Sequence, residues 1–182
     1  MGEHRNGKGL WRTWREDYHL HGARLRNTAW WAIAIYRFGA WTLERRFPPW
    51  RWFVGKIYGL LFFSIGIVNG IEIDRRAKIG EGLHLIHAGN IKIHPAAEIG
   101  ERCGMMHDVT LGMSPGREGA PCIGNDVFIG AGAKILGPVT VGDGAMIAAN
   151  SLVVTNIPPD VTAIGVPARP MPHSKGAPRR AS

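Results

Sequence analysis

Residues 123–153 read IGNDVFIGAGAKILGPVTVGDGAMIAANSLV, with an aliphatic residue at every sixth position. The same spacing runs from Ile73 to Leu111, with one two-residue shift between Ile91 and Ile93. A six-residue period with glycine after the aliphatic residue is typical of a parallel β-helix, in which each hexad forms one short strand and one turn. Three hexads make one triangular coil, and the aliphatic side chains stack inside it as a continuous core. The sequence therefore predicts a mainly β fold, a parallel β-helix, over residues 71–172.

The stretch before this repeat has a different composition. Residues 1–70 hold all seven tryptophans and a net charge of +7, whereas the rest of the chain carries only +1. Asn27-Thr28 fits a helix N-cap, and Pro48-Pro49 can end one helix and begin the next. We expect a basic, Trp-rich α-helical region at 1–70, the β-helix at 71–172 and a flexible tail at 173–182.

One segment of the helical region is unusually apolar. Between Phe53 and Val68 the only charged residue is Lys56, but the segment is shorter than the ~20 residues of a membrane span. Three interpretations stay open at this point. The segment packs against other subunits, it lies in a membrane interface with Trp and Arg at headgroup level, or it belongs to a plain helical packing domain.

Composition narrows the class of protein. With 45% hydrophobic and 20% charged residues among 182, global disorder is excluded. Two cysteines, Cys103 and Cys122, cannot form a disulfide scaffold and favour a reducing compartment. The start of the chain lacks the pattern of a signal peptide, so we expect a cytoplasmic protein. Because the net charge of +8 is concentrated in residues 1–70, we expect no nucleic-acid partner.

Two histidines fall in register. The two-residue shift lengthens one coil to twenty residues, so His87 and His107 occupy equivalent places in adjacent coils, ~4.8 Å apart. Such a pair is catalytic, metal-binding or coincidental. An imidazole could act as general base on an alcohol, with Glu72, Asp74 or Asp108 near enough in sequence to orient it. Residues 112–116, GMSPG, have the Gly-x-Ser-x-Gly spacing but fall in a glycine- and proline-rich stretch and not at a strand-to-helix turn, so we expect direct transfer without a serine nucleophile. We interpret two further histidines, His84 and His94, as surface residues.

The hexad pattern is interrupted between Leu111 and Ile123. Residues 113–121, MSPGREGAP, are rich in glycine and proline and predict a loop that leaves the helix wall. The loop is either a tolerated surface insertion or a flap over a site. Its position near the stacked histidines favours the flap.

Several segments carry a family resemblance: Ile79-Gly80-Glu81-Gly82, Val109-Thr110-Leu111-Gly112, residues 129–137 (IGAGAKILG) and Gly165-Val166-Pro167-Ala168-Arg169. In this order they resemble the hexapeptide acyltransferases, and within them the serine acetyltransferase branch. The resemblance implies a left-handed β-helix, homotrimers, and acetyl-CoA lying in the groove between neighbouring helices, with no metal.

The resemblance also implies roles for residues. It assigns His87 as general base and Glu72, where the family usually has Asp, as its orienting carboxylate. Positions lining the pantetheine channel match the backbone amides near Gly112, Ala131 and Ala149. On charge grounds, we expect Lys134 and Arg169 to meet the CoA phosphates. For His107 three roles stay open: donor to the oxyanion, positioning of the acceptor, or a share in the base role.

The departures from the family fall on the acceptor side. Serine acetyltransferases carry Asp immediately before the catalytic His, where this chain has Ile86. They carry Arg-His-Pro at the end of the loop, where this chain has Gly119-Ala120-Pro121. A site without these charges should bind free serine poorly. The Trp-rich lead-in and the His107 segment look more like small exopolysaccharide acetyltransferases of the colanic-acid type.

We therefore expect an acetyl-CoA-dependent O-acetyltransferase acting on a sugar hydroxyl, on a lipid-linked oligosaccharide or similar acceptor, at the inner face of the cytoplasmic membrane. Serine O-acetyltransferase is the alternative within the enzyme class. From other classes, a zinc protein like the γ-carbonic anhydrases and a non-catalytic scaffold also fit the fold. Free thiol released with L-serine, stoichiometric zinc, or failure to bind CoA would distinguish them.

Overall fold

The computed structural model describes residues 10–22, 27–43 and 48–172. Three helices come first: α1 (Leu10–Leu20), α2 (Thr28–Leu43) and α3 (Pro48–Asn69). The side chain of Asn27 caps α2, accepting a hydrogen bond from the Ala29 N–H at 3.0 Å, as the sequence predicts. The tail predicted at 173–182 lies outside the described residues.

Fifteen short strands follow within the described residues and form three sheets. The first sheet contains β1 (Glu72–Ile73), β4 (Lys92–Ile93), β7 (Thr110–Gly112), β10 (Lys134–Leu136) and β13 (Leu152–Val153). The second contains β2 (Lys78–Ile79), β5 (Glu98–Ile99), β8 (Cys122–Ile123) and β11 (Thr140–Val141). The third contains β3 (His84–Leu85), β6 (Gly104–Met105), β9 (Phe128–Ile129), β12 (Met146–Ile147), β14 (Val161–Gly165) and β15 (Ala168–Pro172).

All the strand pairs are parallel except the last, in which β15 runs antiparallel to β14. Each coil passes once through the three sheets, so from β1 to β13 a strand pairs with the third strand after it, and β12 pairs with β14. The predicted β-helix of hexapeptide repeats is confirmed. Its parallel ladder ends in an antiparallel hairpin.

The register follows the hexads. Ile73 pairs with Ile93, twenty residues on, as the two-residue shift predicts. Ile93 pairs with Leu111 after eighteen residues, and Leu111 with Ile135 after twenty-four, because the loop at 113–121 adds to that coil. These side chains are all buried, and burying one such aliphatic side chain contributes ~1.5–3 kcal/mol. The stacked aliphatic column is the core of the domain.

Glycines stand where neighbouring coils approach most closely. A Cβ placed on Gly130 would lie 2.6 Å from the backbone nitrogen of Ala149 in the next coil. One placed on Gly100 would lie 2.6 Å from the carbonyl of Gly124. No side chain fits at such a distance, which explains the glycine that follows the aliphatic residue in the repeat.

Side chains of the helices cover the open edge of the first coil. Tyr36 donates its hydroxyl to the Ala77 carbonyl at 2.8 Å, and Arg37 donates to the carbonyls of Ile79 and Gly80 at 2.7 and 2.6 Å. The N–H of Leu85 donates to His21 Nε2 at 3.1 Å. An uncovered edge strand would present unpaired backbone groups to other chains. The helical region is therefore a cap on the β-helix.

A buried ion pair lies inside this cap. Arg37 Nε is 3.3 Å from Asp17 Oδ2, and the two side chains are only 3% and 1% exposed. The second carboxylate oxygen of Asp17 has no hydrogen-bond partner among the described residues. Burial raises the pKa of Asp17 to about 6, although the charge of Arg37 works in the opposite direction. Asp17 is thus an acid held in an environment that resists its ionisation.

Helix α3 buries only a narrow stripe. Val54 and Tyr58 are buried, whereas the other face exposes a set of large apolar side chains: Trp52, Phe53, Ile57, Leu60, Leu61, Phe63, Ile67 and Val68. The stretch Trp52–Asn69 is long and apolar enough to cross a membrane, and only 11% of it is buried. A helix that is apolar on all sides is normally covered on all sides, by protein or by lipid, whereas α3 is covered on one side only.

Candidate active site

The corner between the third and first sheets carries one column of equivalent residues. His87, His107, Ala131 and Ala149 each stand two positions after a strand residue, and these four strand residues pair in register. The ring centroids of His87 and His107 lie 6.0 Å apart at an interplanar angle of 54°. Both side chains are exposed. The structure thus brings together the two histidines that the hexad count aligned.

The two extra residues of the first coil form a bulge at this corner. Gly89 and Asn90 both have positive φ angles, +136° and +46°, which glycine and asparagine tolerate better than other residues. The Gly89 carbonyl accepts a hydrogen bond from the Asp108 N–H at 2.8 Å, and the Asn90 N–H donates to Asn69 at 3.1 Å. These bonds fix the bulge that follows His87 against the next coil and against the end of α3.

Below the histidines the column is lined by alanines. The backbone N–H groups of Ala131 and Ala149 donate to no acceptor among the described residues. Small side chains and free amides leave space and donors along the corner, as an extended amide-containing chain such as pantetheine would need. The assignment of these amides to the donor remains a prediction.

A lysine lies beside the histidine pair. Lys134 on β10 donates to the backbone carbonyl of Asp108 and, at 2.9 Å, to its carboxylate. The predicted phosphate ligand is therefore already paired with the residue after His107. Arg169, the other predicted phosphate ligand, is exposed on β15.

Each of the three carboxylates considered for the orienting role has a cation partner. Glu72 lies 3.2 Å from Lys92 Nζ, and Asp108 pairs with Lys134. Asp74 accepts two bonds from the Arg76 side chain, at 3.0 and 3.1 Å, and one from the Arg76 backbone N–H at 2.8 Å. Partial burial works to raise the pKa of Asp74, but the bonds and charge of Arg76 outweigh it and hold that pKa below its usual value.

Within the described part of the chain, no hydrogen bond or ion pair joins His87 to a carboxylate. The orienting role of Glu72 therefore rests on the resemblance alone. Glu72 pairs with Lys92 and not with His87, because Glu72 and Lys92 lie directly opposite each other, in register, on β1 and β4.

A cavity of about 300 Å³ opens on the outer face of the first sheet. Glu72, Lys92, Thr110 and Gly112 line it from the strands, and Phe62 lines it from α3. Asp74 and His94 line the corner that follows β1 and β4. Because β4 begins five residues after His87, the cavity lies on the sheet that directly follows the corner carrying His87.

Residues 115–119 of the loop are exposed, whereas Pro121 at its end is buried. The loop makes its own short turn, with the Arg117 N–H donating to the Ser114 carbonyl at 3.2 Å. The Arg117 side chain donates to the Val154 carbonyl at 2.9 Å, which fastens the loop to the end of the first sheet. Residues 113–118 surround a cavity of about 420 Å³. The loop leaves the helix wall as predicted, and its role as a flap stays a prediction.

Sequence reasoning missed three of these residues. His94 lines the cavity, and the ring of His84 packs on His21 at 5.0 Å, so neither is a plain surface residue. Lys92 carries no motif, but its spacing indicates its place, because Lys92 follows Glu72 by the same twenty residues that separate the two histidines.

The described residues hold no group of three or more His, Cys, Asp and Glu side chains placed to bind a metal ion. The bacterial transferase hexapeptide family (six repeats) matches residues 123–155. The serine acetyltransferase of Helicobacter pylori strain J99 is 37% identical over 140 residues, which cover 76% of this chain and 78% of that protein. The chain spans about half the length of two other serine acetyltransferases it matches, 54% and 50%.

Solved structures show the same likeness. The serine acetyltransferase of Neisseria gonorrhoeae superposes with a TM-score of 0.76 at 30% identity, covering 93% of this chain and 67% of that one. The Brucella abortus serine acetyltransferase in complex with coenzyme A superposes with a TM-score of 0.75 at 29% identity, covering 92% and 68%. Acetyl-CoA as acyl donor fits these findings.

The comparisons correct one prediction. We expected a sugar acceptor, because the charged residues that hold serine in the family are replaced at Ile86, Gly119 and Ala120. The expectation is wrong, since the relatives and solved structures are consistently named serine acetyltransferases. Losing a motif residue shows only that one group is missing. It does not show that the ligand has changed, because another side chain can carry the same charge.

Proposed function

Since this chain belongs to the hexapeptide-repeat acyltransferase family, we propose that it transfers the acetyl group of acetyl-CoA to the hydroxyl of serine. The observation that carries the proposal is the exposed histidine pair, His87 and His107, at the head of a column of small residues with free amides. The names of the relatives support serine as the acceptor.

The reaction needs a base and no covalent enzyme intermediate. His87 takes the proton of the serine hydroxyl as its oxygen attacks the thioester carbon. The tetrahedral intermediate carries its negative charge on the former carbonyl oxygen. When it collapses, the carbon–sulfur bond breaks, O-acetylserine forms, and the CoA thiolate recovers the proton from the His87 imidazolium.

Two further groups complete this scheme. Glu72 is the carboxylate assigned to orient the His87 ring and stabilise its protonated form. The oxyanion needs a hydrogen-bond donor near His87, and the His107 ring and the N–H at Gly112 are the two candidates. His107 is the nearer of the two in register, since it occupies the place of His87 in the next coil.

The donor and the assembly follow the family. The pantetheine arm lies along Ala131 and Ala149, and Arg169 and Lys134 supply positive charge for the phosphates. We propose a homotrimer, in which the corner of one β-helix faces its neighbour and the loop at 113–121 closes over the groove. We place the enzyme in the cytoplasm with its donor.

Thiol release tests the proposal directly. The purified protein is incubated with acetyl-CoA and L-serine, and free CoA is titrated with a thiol reagent. Turnover should depend on serine, and His87→Ala should lower it by about a hundredfold or more. His19→Ala, in α1, removes an exposed histidine outside the corner and should leave turnover unchanged. Absence of serine-dependent thiol release would reject the proposal.

We also propose that the exposed face of α3 meets an anionic lipid surface. Lys56 lies on this face, and among the described side chains it contacts the ring of Trp52, at 4.9 Å, and no carboxylate. Phospholipid headgroups would accept this positive charge while the apolar side chains enter the acyl boundary.

Vesicle flotation separates the two partners of α3. The protein should float with vesicles containing phosphatidylserine and less with neutral vesicles, and Leu60→Asp should abolish flotation. If the protein does not float and Leu60→Asp instead changes its oligomeric mass, the face is a subunit contact and the lipid proposal falls.

A further inference from the structure

The acceptor's own charges lack the partners that the family uses. Free serine carries an ammonium and a carboxylate, and a site that selects it must meet both. At the positions of the family's Asp and Arg this chain has Ile86 and Gly119, which carry no charge. Another cation must therefore stand near the reacting histidine if serine is bound as a zwitterion.

The cavity on the first sheet contains one. Of the residues that line it, Lys92 is the permanent cation, and it stands with Glu72, Asp74 and His94 around the polar part of the wall. A volume of about 300 Å³ is at the lower end of the range for small-molecule sites and suits an amino acid. Phe62 and Ile93 supply the apolar part of the lining.

The Lys92 ammonium is held in place without being saturated. Glu72 Oε1 lies 3.2 Å from Nζ, and the Lys92 side chain is still 58% exposed. An ammonium has three N–H donors, so two remain for a ligand. The cross-strand pairing of Glu72 and Lys92 sets the position of the stem, which lowers the entropy lost when a second carboxylate binds.

His94 supplies a second donor at the same wall. Its Nδ1 accepts a hydrogen bond from the Ala96 N–H at 3.1 Å. Because Nδ1 accepts this bond, Nε2 is the ring nitrogen left to act as a donor. A lysine ammonium together with an imidazole N–H is a suitable pair for a carboxylate.

We propose that Lys92, assisted by His94, binds the carboxylate of the acceptor and so makes the site specific for a free amino acid. This inference rests on the proposed function and names the groups that replace the family's missing cation. Asp74 lines the same cavity and gives the negative charge that the acceptor's ammonium requires.

The test compares two acceptors that differ only in the carboxylate. L-serine and L-serinamide are each assayed with acetyl-CoA at saturating donor, using the full chain. The wild-type protein should prefer serine, and Lys92→Met should lower kcat/KM for serine at least tenfold, mainly through KM. The same variant should change kcat/KM for serinamide little, because that acceptor has no carboxylate to lose. Lys92→Arg keeps a cation at this position and should retain most of the wild-type preference for serine over serinamide.

A matched control exists on the second sheet. Lys78 pairs with Glu98 at 2.6 Å across β2 and β5, with similar exposure, but outside the cavity. Lys78→Met should leave kcat/KM for both acceptors unchanged. Equal melting temperatures of Lys78→Met and Lys92→Met would show that the two variants fold alike.

The outcomes are distinct. If the wild-type protein does not acetylate serine, the proposed function fails. If the wild-type protein acetylates serine, two results with Lys92→Met refute the inference alone. Either the preference for serine over serinamide stays intact, or kcat/KM falls equally for both acceptors. In the second case Lys92 acts on the base or the fold and not on the carboxylate.

Discussion

Asp17 makes the stability of the cap depend on pH in a direction opposite to that of most acidic groups. Its pKa is raised from 3.8 to about 6, because burial disfavours the carboxylate more than Arg37 favours it. A raised folded-state pKa means that the folded protein holds the proton more tightly than the unfolded chain. The stabilisation from this group is fully present below about pH 4 and is lost as the pH rises through about 6.

The size of the effect follows from the shift. Each pKa unit corresponds to ~1.4 kcal/mol, so a shift of about two units removes about 3 kcal/mol between pH 4 and pH 7. Asp17→Asn carries no titrating group and should not show this loss. Any constant offset from the changed contact with Arg37 applies at every pH and cancels in the comparison.

The assay is urea unfolding of both proteins at fixed concentration, from about pH 4 to about pH 8, monitored by the tryptophan fluorescence of the helical region. The difference in unfolding free energy between Asp17→Asn and wild type should grow by about 3 kcal/mol in favour of the variant as the pH rises. Parallel curves would show that Asp17 is solvated or fully compensated, and would refute the buried cap.

Three further changes probe other parts of the molecule. His21→Ala removes the acceptor of the Leu85 N–H and should lower the unfolding free energy by about 1–3 kcal/mol, measured by urea unfolding. Because burial lowers the pKa of His21 below its ordinary value of 6.5, its contribution is present above about pH 6.5 and is lost as the pH falls through the lowered pKa. A deficit of the same size at every pH would contradict this. Gly130→Ala forces a Cβ to 2.6 Å from a backbone atom of the next coil and should lower the melting temperature. The control Gly59→Ala, in open space on α3, should raise the melting temperature slightly. Equal shifts in the two variants would contradict the close approach of the coils. His107→Ala should lower kcat at least tenfold with little change in KM for acetyl-CoA if its ring donates to the oxyanion, and an unchanged kcat would leave Gly112 as the donor.

The fold and the histidine pair were predictable because both depend on a spacing along the chain. Leu85 and Met105 align in register once the two-residue shift is counted, and His87 and His107 follow by the same offset. The shape of a repeat protein is set by its nearest neighbours, so a period read from the sequence already fixes which residues lie side by side.

The cap and the acceptor side were not predictable in this way. Arg37 reaches Ile79 and Gly80 across more than forty residues, and no period connects a helix to a coil edge. The family motif places the missing charges at Ile86 and Gly119, but a motif does not show which residues take their place. The candidate replacement, Lys92, is identified by the cavity on the outer face of the first sheet.

The two ends of the β-helix are closed by different devices, helical side chains at the first coil and the antiparallel β14–β15 hairpin at the last. Between them every coil presents the same kind of edge to its neighbours, so the ends act as terminators of a one-dimensional array. The number of coils can therefore change by whole units without redesign of either end. Deleting the structure that covers one end, in contrast, would expose the unpaired backbone groups of the terminal strands. Another molecule could then pair with these strands, and the protein would be prone to form fibres.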